Sequence, residues 1–147
     1  MKTRGFAVLS LVVLAVSTQC FAHHMAVVVS KQNSVTHMSS AQLSKIFLAE
    51  TKKWPDGRGI TLVLHRSLPG ETITLQRLNR MSAQRWQAWM AEHKDSIKLV
   101  ESDEEVLTYV QSSPGAVGLV DVRSVNDRVT IVRVDGKVPM EDGYLPH

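Results

Sequence analysis

The stretch LVLHRSLPGETITLQRL, residues 62–78, contains the junction that decides the fold of this chain. An apolar run ends at His65, and Pro69 with Gly70 forms a turn before a new pattern begins. The run is apolar nearly throughout, which predicts a strand over 60–65 that is covered on both faces. The residues after the turn predict a helix over 71–81. A strand leading through a tight turn into a helix is the unit from which α/β proteins are built.

The start of this predicted helix is a candidate anion site. The first N–H groups of a helix have no partner within the helix and carry a partial positive charge. Gly70 allows close approach of the backbone, Thr72 adds a hydroxyl, and Arg66 adds a guanidinium that can bind two oxygens. Glu71 opposes this use, because its carboxylate competes for the same N–H groups and repels an anion. The alternative, which spacing alone favours, is an ordinary junction with Glu71 complementing the helix dipole and Arg66 on the surface.

Strands and helices alternate along the rest of the chain. Further strands are predicted at MAVVVS (25–30), IKLVE (97–101), AVGLVD (116–121) and RVTIVRV (128–134). Capping boxes predict helices that follow Ser39 and Ser102, and a third helix follows Ser82 with Trp86 and Trp89 as core residues. The alternation predicts one α/β domain over 23–147, with a mixed, largely parallel sheet flanked by helices. The polar segment 135–147 is predicted to be a loose tail.

The first residues are typical of an export signal. Lys2 and Arg4 precede an apolar stretch that is too short to span a bilayer, and Ala22 is a suitable cleavage residue. We therefore expect a signal peptide over 1–22 and a periplasmic protein, with secretion as the alternative. The only cysteine, Cys20, lies in that segment, so the mature chain has no disulfide. Removing Lys2 and Arg4 from the 17 basic residues leaves 15 against 14 acidic residues, a balance that argues against a nucleic-acid partner.

Signatures of catalysis and of cofactor binding are missing from the sequence. It contains no nucleophile elbow, no H-E-x-x-H pair and no phosphate-cradling P-loop, so we predict that the protein is not an enzyme. His23 and His24, with Met25, could chelate copper or nickel, but exposed terminal histidines are more often incidental. The other histidines lack the spacing of metal ligands. The sequence therefore predicts no metal site and no cofactor.

Three segments resemble the phosphate-binding periplasmic proteins of ABC transporters. They are VVVSKQNSVTHMSSAQLSKIFLAETKKWPDG (27–57), LVLHRSLPGET (62–72) and SSPGAVGLVDV (112–122). The first is similar to the family's strand followed by L-x-x-I-[FY]-L-G-x-x-x-x-W-x-D-G. The second is similar to its strand followed by R-x-x-x-S-G-T, and the third to P-G-A-[IV]-G-[YL]-V. Together they cover most of residues 27–123 in family order.

The resemblance implies a type 2 periplasmic-binding-protein fold, of which this chain has room for a single lobe. In the family, the arginine and the S-G-T hydroxyls and amides bind the anion. Arg66 and Thr72 match by position, whereas Gly70 stands where the family has serine and Glu71 where it has glycine. The family's other contacts come from loops after early strands. The expected ligand-binding residues are Arg66, Ser67, Gly70, Glu71, Thr72, Ser30, Asn33 and Ser34.

Two functions remain open at this point. The resemblance implies a non-catalytic solute-binding protein for a small anion such as phosphate, acting with a membrane transporter. The departures at Gly70 and Glu71 favour the alternative, a ligand-free adaptor or sensory module of the same fold that contacts a membrane protein. A single lobe cannot enclose a ligand by closing, so a second copy or another protein would have to supply the missing wall.

Overall fold

A computed structural model describes residues 24–147, and the predicted signal peptide lies outside them. The strands are Met25–Ser30 (β1), His37–Met38 (β2), Thr61–His65 (β3), Ile97–Val100 (β4), Ala116–Asp121 (β5), Val129–Ile131 (β6) and Arg133–Val134 (β7). The helices are Ser40–Phe47 (α1), Pro69–Leu78 (α2), Ala83–Glu92 (α3) and Asp103–Ser112 (α4). Short 3-10 turns cover Lys94–Ser96 and Val122–Ser124. No helix among the described residues is long and apolar enough to cross a membrane.

Five strands form the central sheet in the order β4-β3-β5-β1-β6. β3 lies parallel to β4 and to β5, whereas β1 runs antiparallel to both of its neighbours. Four of the five strands therefore point the same way, and the predicted mixed, largely parallel sheet is confirmed. A consequence is that β1 begins at the edge where β3, β4 and β5 end, since Met25 pairs with Asp121.

Helices cover both faces of the sheet. Because side chains alternate along each strand, each strand contributes residues to the core on either face. Val27 and Val29 belong to the core on the face that α1 and α3 cover, and Val28 belongs to the core beneath α4. α4 approaches β5 so closely that a Cβ at Gly118 would lie 2.8 Å from the Val106 side chain. The buried strands thus have the continuous apolar runs expected of a sheet with helices on each face.

The caps and boundaries differ in detail from the predictions. Ser39 and Gln42 form the predicted capping box of α1. At α4 only half of the box forms, because the Glu105 carboxylate accepts the Glu101 N–H instead of the N–H of Ser102. α2 begins at Pro69, two residues earlier than predicted, since proline suits the first position of a helix. The predicted strand 128–134 is divided into β6 and β7, and β2 was not predicted.

The predicted core packing of the tryptophans is present. Trp86 and Trp89 are buried and stack with ring centroids 5.1 Å apart. The prediction of a loose tail over 135–147, by contrast, is wrong around Tyr144. Tyr144 is 2% exposed, and its hydroxyl accepts the Val27 N–H at 3.1 Å and donates to the Val132 carbonyl at 2.6 Å. Apolar contact and two hydrogen bonds hold this segment against the sheet despite its polar composition.

Candidate functional site

A pocket of about 660 Å³ lies at the edge of the sheet where β3, β4 and β5 end. Such a position, outside the carboxyl ends of parallel strands, is where open α/β sheets bind ligands. The starts of α2 and α4 face it, and the beginning of β1 closes one side. Its lining residues are Met25, His65, Ser67, Leu68, Pro69, Gly70, Glu101, Ser102, Asp103, Asp121, Arg123 and Ser124.

A buried ion cluster forms the back of this pocket. Nδ1 of His65, the last residue of β3, lies 3.1 Å from a Glu71 carboxylate oxygen, and Nε2 lies 2.8 Å from an Asp103 oxygen. The other Glu71 oxygen accepts the backbone N–H of His65 at 2.8 Å. The other Asp103 oxygen accepts the Ser124 hydroxyl at 2.6 Å and the Asp121 N–H at 3.1 Å. The cluster therefore ties β3 to the starts of α2 and α4 and to the end of β5.

The two carboxylates hold His65 in its charged form at neutral pH. Burial alone would lower the pKa of His65, but the hydrogen bonds to Asp103 and Glu71 outweigh it and raise the pKa to about 9. Burial raises the pKa of Glu71, against the opposing effect of His65. For Asp103, burial is outweighed by the hydrogen bonds from His65 and Ser124, and its pKa is lowered. A charged His65 thus lies between the carboxyl groups of Glu71 and Asp103 behind the pocket.

This arrangement accounts for the glutamate that the sequence places in the first turn of α2. Glu71 is 3% exposed, and its carboxylate is directed at His65. The N-cap residue of α2, Leu68, supplies no side-chain hydrogen bond, whereas serines cap α1, α3 and α4. The start of α2 therefore has neither a side-chain cap nor the Glu71 carboxylate as a substitute for one.

The remaining residues expected around α2 lie together. Arg66, Ser67 and Thr72 line a shallow hollow of about 320 Å³ beside the main pocket, and Ser67 borders both. Gly70 lines the main pocket. The Nε of Arg66 is 2.6 Å from a Glu101 oxygen, in a pair whose side chains are 61% and 63% exposed. Pairs this exposed stabilise a protein by about 0–1 kcal/mol, so little is lost when Arg66 leaves Glu101.

Ser30, Asn33 and Ser34 do not join this group. They follow β1, which is antiparallel to β5, and Ser30 pairs with Val129 at the start of β6. This places them at the opposite edge of the sheet from α2. The side-chain hydrogen bonds of Ser30 and Asn33 are local, since the Ser30 hydroxyl accepts the Gln32 N–H and the Asn33 side-chain oxygen accepts the Val35 N–H. The expectation that both groups line one pocket fails because the direction of β1 separates them.

Sequence analysis missed His65 and Asp103 as parts of the site. A histidine at the end of an apolar strand, six residues before a glutamate, was the one available signal, and it was considered only as a metal ligand. Asp103 is 38 residues further along the chain, so no local pattern connects it to His65. Within residues 24–147, no group of three His, Cys, Asp or Glu side chains could hold a metal ion.

The charges around the pocket are mixed. Glu101, Asp103 and Asp121 line it together with His65 and Arg123. Arg123 is bonded to Asp121 through Nη2 at 2.8 Å, and its side chain is 74% exposed. An anion entering the pocket therefore meets carboxylates as well as cations. The hollow that contains Arg66 adjoins the pocket at the start of α2.

Comparison with known proteins gives a fold but no close relative. The sequence matches no family model and no curated protein sequence. The fold, in contrast, is that of substrate-binding proteins of phosphate ABC transporters, so the resemblance seen in the sequence is confirmed at the level of the fold.

Three solved structures illustrate this likeness. An ABC-type phosphate transport receptor from Vibrio cholerae has a TM-score of 0.65 at 20% identity, over 79% of this chain and 48% of its own. A phosphate ABC transporter substrate-binding protein with bound phosphate from Clostridium perfringens has a TM-score of 0.65 at 20% identity, over 79% and 46%. PstS from Borrelia burgdorferi has a TM-score of 0.64 at 17% identity, over 79% and 49%. This chain spans about half the length of these proteins, in agreement with the expected single lobe.

Proposed function

We propose that this protein is a non-catalytic solute-binding module of the periplasm. It binds a small oxyanion at the start of α2, and phosphate is the proposed ligand. One observation carries the proposal: the start of α2 lacks a side-chain cap and adjoins Arg66, while Glu71 is held by His65. Free N–H groups at a helix start suit an oxyanion, and Arg66 can bind two of its oxygens. Ser67, Gly70 and Thr72 border the same region. The likeness to proteins named for phosphate supports this choice of ligand.

The surrounding carboxylates make this a weak site. Each negative charge at ~4 Å from the ligand costs about 1 kcal/mol in water and more where water is excluded. Glu71 contributes little to this repulsion because His65 neutralises it. Glu101 and Asp121 contribute more, and Glu101 already occupies the Arg66 guanidinium that the ligand would use. Tight binding would therefore need a second wall, from a transporter subunit or another protein.

The ion cluster supports a binding role over catalysis. A histidine acting as a general base needs one ring nitrogen free to accept a proton. Both nitrogens of His65 are bonded to carboxylates, and its pKa of about 9 keeps it protonated at neutral pH. The Ser124 hydroxyl donates to Asp103 rather than to His65. Within the described residues the cluster therefore has no activated nucleophile.

A ligand-free adaptor or sensory module is the second candidate. The observation that favours it is that Arg66 and Arg123 are both paired with acidic side chains at the mouth of the pocket. In this function the pocket rim contacts a membrane transporter or sensor, and its mixed charges set the orientation of the partner. Secretion is the alternative to the periplasm for either function.

Calorimetry and thermal denaturation distinguish the two candidates. The protein is purified from the periplasm after export, and N-terminal sequencing checks cleavage after Ala22. We expect phosphate at millimolar concentration to release heat and to raise the melting temperature. Arg66→Ala should abolish both effects. Arg58→Ala is the matched control, because Arg58 is also exposed and paired with an acid, Asp56, but lies outside the lining of either pocket beside α2. The absence of heat with phosphate and sulfate would favour the adaptor.

A further inference from the structure

A second pocket lies at the opposite edge of the sheet. It has a volume of about 410 Å³ and lies between α1 and the segment 51–60. Two contacts place the pocket at the edge where β3 and β5 begin. The Trp54 indole donates to the Gly115 carbonyl just before β5, and Ile60 directly precedes β3.

The shape of this pocket is fixed by the backbone of the segment that forms its wall. The Trp54 N–H donates to the Arg58 carbonyl at 2.8 Å, and the Ile60 N–H donates to the Lys52 carbonyl at 2.9 Å. The Lys45 carbonyl at the end of α1 accepts two N–H groups of the residues that follow the helix. The first two bonds lie within the wall segment, and the last two join that segment to α1. The pocket therefore does not need a ligand to form.

The floor of the pocket is apolar. Met38, Ile46 and Trp54 are 7%, 5% and 4% exposed, respectively, and form its base. Val35, Ile60 and Pro55 extend this surface towards the rim. A cavity of this volume with an apolar base and a few polar groups at the rim is the usual form of a small-molecule site.

The rim carries positive charge without compensation. Lys45 and Lys53 line it, and no Asp or Glu is among the described residues that do so. Neither lysine forms an ion pair with a described residue. The two nearest acids along the chain are Glu50, which is exposed and does not line the pocket, and Asp56, which is paired with Arg58. The pocket beside α2 differs in character, because three carboxylates line it together with His65 and Arg123. The two edges of the sheet therefore favour different ligands.

We propose that this second pocket binds a small amphipathic organic anion. The carboxylate or sulfonate of such a ligand would lie between Lys45 and Lys53, and its apolar part would cover Ile46 and Trp54. His37 and Thr51 supply further hydrogen-bonding groups at the rim. Because the sheet separates the two pockets, this ligand binds independently of an oxyanion at the start of α2.

Fluorescence of 8-anilino-1-naphthalenesulfonate, an amphipathic organic anion, tests the proposal directly. We expect saturable binding to the folded, full mature protein. N-phenyl-1-naphthylamine, a related ring system without the sulfonate, should bind more weakly. Reversing both charges with Lys45→Glu and Lys53→Glu should raise the dissociation constant at least about tenfold, because two attractions become repulsions. Both lysines are exposed, so the fold should survive.

The matched control is the double exchange Lys94→Glu and Lys98→Glu, which changes the net charge equally at exposed positions outside this pocket. It should leave the dissociation constant unchanged, as should Arg66→Ala and excess phosphate. NMR amide shifts should concentrate at Met38, Ile46 and Trp54. No saturable binding, equal loss in both double variants, or loss on Arg66→Ala would each overturn the proposal.

Discussion

The exchange Glu71→Gln tests whether the buried ion cluster holds His65 in its charged form. Glutamine keeps the size of the side chain and an oxygen that can accept the His65 N–H, which Glu71 now accepts at 2.8 Å. It removes the negative charge 3.1 Å from Nδ1. Because a neighbouring opposite charge shifts a pKa by about 1–3 pH units, we expect the pKa of His65 to fall by about 1–2 units from about 9.

The same cluster links stability to pH. The folded-state pKa of His65, about 9, exceeds the ordinary value of 6.5, so the folded protein binds this proton more tightly than the unfolded chain does. The resulting stability is complete below pH 6.5 and is lost as the pH rises through about 9. The difference between the two pKa values corresponds to about 3 kcal/mol, an upper value because the pocket opens to solvent.

In Glu71→Gln the loss of stability with rising pH should be smaller and should occur at lower pH, because the pKa of His65 is lower. The net change in unfolding free energy at neutral pH is less than the change in the His65 pKa implies, since the variant no longer buries the Glu71 charge. The raised pKa of Glu71 shows that this burial is costly.

NMR titration of the histidine ring protons measures the pKa directly, and urea denaturation from pH 6 to pH 10 measures the stability. Glu92→Gln, at the exposed end of α3, is the matched control and should change neither. A wild-type His65 that titrates near its ordinary pKa would refute the reasoning. So would an unchanged His65 pKa in Glu71→Gln.

Three further exchanges probe the site and the core. Glu101→Gln should strengthen phosphate binding several-fold, as measured by calorimetry. The exchange frees Arg66 and removes a negative charge whose repulsion of the ligand costs about 1 kcal/mol. Tyr144→Phe should lower the unfolding free energy in urea by about 1–3 kcal/mol, because the buried Val27 N–H loses its partner. Gly118→Ala should lower the melting temperature, because overpacking beneath α4 costs about 1–3 kcal/mol.

Each of these exchanges has a control elsewhere in the chain. Glu92→Gln removes an exposed charge away from Arg66 and should leave phosphate affinity unchanged. Tyr109→Phe removes the other tyrosine hydroxyl, which makes no hydrogen bond among the described residues, and should be nearly neutral. Gly59→Ala adds a Cβ with nothing within 4 Å. An effect of the control as large as that of its test variant would contradict the corresponding argument.

Local pattern was sufficient for most of the elements. Continuous apolar runs identify the strands because both faces of the sheet are covered, and serine caps identify the starts of α1, α3 and α4 because they satisfy free N–H groups. The tail around Tyr144 could not be predicted in this way. Its order comes from contacts with β1, which lies 117 residues away at Val27.

The same distinction applies to the candidate site: residues close together in sequence could be predicted, and residues that the fold brings to them could not. Arg66, Ser67, Gly70 and Thr72 are close in sequence, so the sequence alone determined that they lie together at the start of a helix. Only the tertiary structure decided which residues face them, because strand direction and the packing of α4 depend on long-range pairing. The antiparallel direction of β1 moved Ser30 to the other edge, and the docking of α4 brought Asp103 to His65, whose two ring nitrogens contact the carboxyl groups of Glu71 and Asp103.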